Sequence, residues 1–123
     1  MKFSYTTTDV CRIFDIKKEC LRQWMTDGFI VPSKPSDGPG LRAIFSLPDL
    51  YRIYIFQSFL NADVKRSTSA DLVRQIPDDE LLEADKVEFD VWQLPKGVVK
   101  YVIDMKNVIK SVKSKLKGVG IDG

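Results

Sequence analysis

Lys17, Lys18 and Arg22 fall within six residues of one another, inside a stretch from Thr6 to Ile30 that reads as two short helical patterns around a break. Cations at that spacing can share one helix face and hold an acidic surface, or they can simply be a solvated helix face. The other charges are unevenly placed. Residues 1–64 carry 8 basic and 7 acidic side chains, residues 77–94 carry 1 and 7, and residues 95–123 carry 7 and 2, the seven all lysine. The net charge of +2 hides an acidic joint followed by a basic tail. Catalytic chemistry has little to work with. The chain holds no histidine, no Gly-rich phosphate loop and no Ser or Cys nucleophile beside a candidate base, so neither an enzyme nor a bound cofactor is expected. Cys11 and Cys20 lack the histidine partners of a metal set and read as small core residues in a reducing cytoplasm.

The elements that must position the cations can be read from caps and spacing. Thr6-Thr7-Thr8-Asp9 offers a hydroxyl cap and an acidic first turn, predicting a helix from about Thr7 to Phe14, with Asp15 as a left-handed C-cap. A second helix runs from Lys18 to Asp27, with Leu21, Trp24 and Met25 on one face and Lys18, Arg22 and Gln23 turned elsewhere; Gly28 follows as a C-cap. Phe29 to Val31 and Leu41 to Phe45 are short β-like runs flanking "PSKPSDGPG", which predicts a hairpin wing. Ser46 and Asp49 form a capping box for a central helix to about Ala62, and Ser67 or Thr68 caps a shorter helix ended by Pro77. Lys86 to Trp92 alternates charged and apolar residues and reads as a strand, which needs an edge to pair with. From Pro95 to Lys117 one more helix is predicted. In it Val98, Val102, Met105, Ile109, Val112 and Leu116 alternate at spacings of four and three, the seam of a coiled coil.

The stretch "YTTTDVCRIFDIKKECLRQWMTDGFIVPS" followed by "GLRAIFSLPDLYRIYIF" resembles the DNA-binding domain of MerR-type transcriptional regulators. Tyr5-Thr6, Val10, Leu21-Arg22, Gly28 before an apolar pair, Gly40-Leu41-Arg42, and Phe45-Ser46 leading to Asp49-Leu50 carry the resemblance in order, over roughly residues 5–62. It implies a mainly α chain with a small β wing: a winged helix-turn-helix whose second helix enters the major groove of double-stranded DNA, plus a C-terminal helix. Carried over by position, Lys17, Lys18 and Arg22 lie on or beside the recognition helix, and Gln23 and Trp24 take the place of paired tyrosines. Arg42 takes the place of a wing arginine that grips phosphate, and Lys34 sits on the approach to the wing. Arg22 can hold either a guanine edge or a phosphate. Trp24 shares a face with Leu21, which favours a core position for its ring.

Asp15 stands where the family has a turn glycine, Glu19 where a basic or polar residue is common, and Gln23-Trp24 where it has Tyr-Tyr. The expected organisation is a DNA-binding domain over residues 1–76, an acidic connector with a strand over 77–94, and a lysine-rich helix over 95–123 that pairs two protomers. A helix folded back on its own domain, lysines toward DNA, is the rival for that last segment. The expected function is a sequence-specific, dimeric transcription regulator without a ligand-sensing domain, acting on DNA and engaging RNA polymerase or another protein. An excisionase-like or nucleoid-organising DNA bender is the first rival, and a protein-interaction module on the same scaffold is the second. No apolar run of about 18 residues appears, so a cytoplasmic, nucleoid-associated protein with no membrane partner is expected.

Overall fold

The computed structural model describes residues 4–34, 43–93, 95 and 97–121. Strand β1 (Tyr5–Thr6) leads into α1 (Thr7–Phe14) through a complete capping box. Thr6 Oγ1 accepts from the Asp9 N–H at 3.2 Å, and Asp9 Oδ2 accepts from the Thr6 N–H at 3.0 Å. The helix stops at Asp15, whose left-handed backbone (φ 53°, ψ 51°) starts the turn into α2 (Lys18–Thr26). A second capping box, Ser46 with Asp49, opens α3 (Leu47–Asn61), which is buried through Leu50, Tyr51, Ile53, Ile55, Phe56 and Phe59 and forms the centre of the molecule.

The wing is built differently from the expectation. Strand β2 (Ile44–Phe45) pairs antiparallel with β1, Tyr5 opposite Phe45. Phe29 to Val31 form no strand; Ile30 is buried in the core and Pro32 has no N–H to give a ladder. Among the described residues, the returning chain meets β2 at an isolated bridge between Lys34 and Ile44. Residues 35–42, which include the tip and Arg42, lie outside the described residues.

Helix α4 (Arg66–Arg74) begins two or three residues earlier than expected, with Lys65 at the N-cap position, so Ser67 and Thr68 lie inside it. Pro77 does end that segment, and it also serves as N-cap of a short acidic helix, α5 (Asp78–Glu83).

The larger correction is C-terminal. Strand β3 (Lys86–Gln93) forms where expected, with Val87, Phe89 and Val91 turned inward, but its partner is β4 (Gly97–Asp104). Only after β4 does helix α6 (Met105–Gly118) begin, so the predicted single helix from Pro95 is a strand followed by a helix. The local reasons are plain. Gly97 takes φ +82°, which reverses the chain, and Val98, Val99, Val102, Ile103 and Tyr101 are the β-branched and aromatic types that suit a pleated surface. The six seam residues are thereby split. Val98 and Val102 lie on the outer face of the hairpin, while Met105, Val112 and Leu116 are fully buried in this chain's own core and Ile109 is half-buried. A continuous helical dimer seam is not what these residues form. Instead α6 packs on α3 and α1, and Arg12 of α1 donates to the Val119 carbonyl at 2.8 Å.

Candidate nucleic-acid interface

The rotation of α2 about its own axis is fixed by two anchors. Leu21 is fully buried, and the Trp24 ring meets Phe56 of α3 edge to face, with centroids 5.2 Å apart and planes at 74°. Such a contact adds about 0.5–1.5 kcal/mol to the burial itself. With that face held down, Lys17, Lys18, Glu19, Arg22 and Gln23 are all exposed. Lys18 and Arg22 stand one turn apart in one row, and Glu19 and Gln23 form the row beside it. Gln23 donates to Asp27 Oδ1 at 2.9 Å, which orients its amide along the helix. Trp24, carried over as a DNA contact, is instead part of the core. Its neighbours Arg22 and Gln23 are the outward side chains at this level of the helix.

Two arginines and one buried carboxylate, none singled out from sequence for this purpose, hold α2 and the wing in place. Arg74 of α4 donates to the Gly28 carbonyl at 2.8 Å, fastening the chain just past the end of α2. Asp49 is buried and gathers the foot of the wing: its Oδ2 accepts from the Ser33 N–H at 2.9 Å, the Ser33 hydroxyl at 2.6 Å and the Ser46 N–H at 2.9 Å. Its other oxygen lies 3.3 Å from Arg52 Nη1, and Arg52 continues to the Ile76 carbonyl at 2.9 Å and to Asp78. A carboxylate so shared stays satisfied while buried, and it makes Ser33 a rigid lead-in to Lys34. Lys34 itself exchanges both backbone bonds with Ile44, at 3.0 and 2.8 Å, and leaves its side chain in solvent. A cleft of about 280 Å³ adjoins this junction, with Phe29, Ile53, Phe56, Val73, Arg52 and Arg74 in its lining. Sequence showed Asp49 as a cap; its reach to Ser33, 16 residues back, had no local signal.

Both cysteines are half-buried. Burial pushes the Cys11 thiol above its ordinary pKa, and Glu19 and Cys20 add to the rise while Lys18 opposes it. A protonated, packed thiol is a poor nucleophile and metal ligand. Among the described residues no group of His, Cys, Asp and Glu could hold a metal ion.

A two-helix unit with an outward basic second helix, followed by a strand-paired wing, is a winged helix-turn-helix. Residues 5–75, more than half of the chain, match the family described as MerR HTH family regulatory protein. The chain belongs to that family, and these residues are its helix-turn-helix DNA-binding domain. No curated protein matches the chain closely enough to add to this. Among the described residues, no helix is long and apolar enough to cross a membrane.

Proposed function

We propose that the protein is a sequence-specific transcription regulator that acts as a pair of copies on two half-sites. In this reading α2 lies in the major groove, Arg22 and Gln23 meet base edges, and Lys17 and Lys18 meet the flanking phosphates. Lys34 and Arg42 hold the backbone beside the groove from the wing. One observation carries the reading: in a chain of the MerR regulatory family, α2 is pinned by Leu21 and Trp24 so that its cations share the exposed face. Pairing doubles the recognised length and imposes an inverted repeat on the site. The reading includes a place in the nucleoid and contact with RNA polymerase.

One feature favours a second reading. Glu19 is exposed beside Arg22, and residues 1–64 are nearly neutral, with 8 basic against 7 acidic side chains, so a protein surface is the rival partner. Sheared genomic DNA from the source organism, incubated with the protein at near-physiological salt and sequenced after capture, separates the cases. Retention of a few fragments sharing an inverted repeat supports the regulator. Even retention indicates an architectural binder, and none moves the case to a protein partner.

A further inference from the structure

The β3–β4 hairpin stands out because it is a two-stranded sheet that displays its hydrophobic residues. Its base is anchored: Val87 and Ile103 are buried, Tyr101 meets Phe59 of α3 at 5.6 Å, and the Met105 N–H donates to the Asp85 carbonyl at 2.9 Å. Beyond the base the outer face carries Trp92, Val98 and Val102 at 68, 62 and 56% exposure. Among the described residues no third strand joins the sheet. An isolated two-stranded ribbon is only marginally stable in water; here the inner face is covered by the helices, and what the sheet leaves open among the described residues is its two strand edges.

The two edges are not equivalent. Along β3 the outward positions are Lys86, Glu88, Asp90 and Trp92; along β4 they are Val98, Lys100, Val102 and Asp104. An antiparallel pair of β3 strands centred on Phe89 sets Glu88 against the partner's Asp90, and one centred on Glu88 or Asp90 sets an acid against itself; one centred on Val87 matches Lys86 with Glu88 but pairs only residues 86–88 within the strand. Like charges directly opposite destabilise a ladder. A pair of β4 strands centred on Val102 does the reverse. It sets Val102 against the partner's Val102, and Lys100 against the partner's Asp104 at both ends. Asp104 has capacity to spare, since one oxygen accepts from the Asn107 N–H at 3.3 Å and a carboxylate accepts several bonds. Lys100 lies 3.7 Å from Glu88 within the chain, and its ammonium keeps further donors for a second carboxylate.

We infer that β4 is the edge through which two copies of this chain associate, antiparallel about Val102, making one four-stranded sheet from two hairpins. The inference rests on the proposed action as a pair and names the surface that forms it. The apolar stripe of α6 offers no rival pairing surface, because it is already buried against α3 and α1.

Sedimentation velocity on the full chain without DNA, over a range of concentrations, tests the surface independently of DNA reading. The wild-type protein should sediment as a dimer. Val102→Lys, at an exposed position, should keep the monomer folded by circular dichroism and weaken association by about tenfold or more, because it opposes two cations at the two-fold. Lys100→Asp should weaken association likewise, and adding Asp104→Asn, which keeps a capping side chain, should restore part of it. Trp92→Ser should leave the dimer in place. A monomer at every concentration, or a dimer indifferent to Val102→Lys, would overturn the inference. A dimer lost with Trp92→Ser but kept with Val102→Lys would overturn it too, placing the partner on the outer face. If the protein is monomeric yet retains specific DNA, the pairing fails and the DNA reading stands; if it dimerises through β4 yet retains no DNA, the DNA reading fails and the pairing surface stands.

Discussion

The α1–α4 half and the hairpin–α6 half present opposite surfaces over one shared core. On α2 the apolar residues are turned in and the cations out, and the one large apolar side chain displayed in the first half among the described residues is Val31. The hairpin leaves Trp92, Val98 and Val102 in solvent, and its charges largely pair within the chain, with Glu88 at 3.2 Å from Lys86 and 3.7 Å from Lys100. A surface of unpaired cations suits a polyanion, while an apolar surface with matched charges suits a protein. On the proposed reading, DNA meets one half and a second copy meets the other.

The contrast can be broken most severely at its anchors. Trp24→Ala should lower unfolding free energy by about 3–5 kcal/mol in a urea titration, a large part of the stability of a domain this size, because it removes the ring packed on Phe56. Indifference would mean that α2 is held by something else. Leu116→Ala should cost about 2–5 kcal/mol in the same titration, whereas Val98→Ala, on the exposed hairpin face, should stay within about 0.5 kcal/mol at concentrations too low for association. Equal costs at the two positions would restore the continuous helix that the split into β4 and α6 replaces.

The smallest effect concerns charge on the hairpin. The hydrogen bond from Lys86, with Lys86 and Lys100 nearby, holds the Glu88 carboxyl below its ordinary pKa. A depressed carboxylate contributes stability that is present above its unfolded value and is lost as pH falls through the lower, folded one. Glu88 is in solvent, so the contribution is slight, but a carbon-detected NMR titration should find its midpoint low and find it rising in Lys86→Ala.

Local signals carried the first half into view and failed in the second. Both capping boxes, the left-handed Asp15 and the division of α2 into a Leu21–Trp24 face and a cationic face are written within a few residues of where they act. The bonds from Arg74 to Gly28 and from Arg12 to Val119 span 46 and 107 residues, so nothing local announces them. In the second half a four-and-three spacing ran across the junction at Asp104 and imitated one helix. An even spacing fits a strand face as well as it begins a heptad, so Val98 and Val102 satisfied both patterns. The β-like run Val98 to Ile103 and the unmet need of β3 for a partner were the signals that decided it.

The most direct test of the division is specific binding by Arg22→Ala, measured by fluorescence anisotropy on a captured fragment beside a scrambled one. Arg22 is exposed, so folding should not change, and specific affinity should fall by about 1–3 kcal/mol, roughly 5- to 150-fold, with little change on the scrambled fragment. Unchanged specific affinity in Arg22→Ala would contradict the assignment of α2 as the helix that reads DNA.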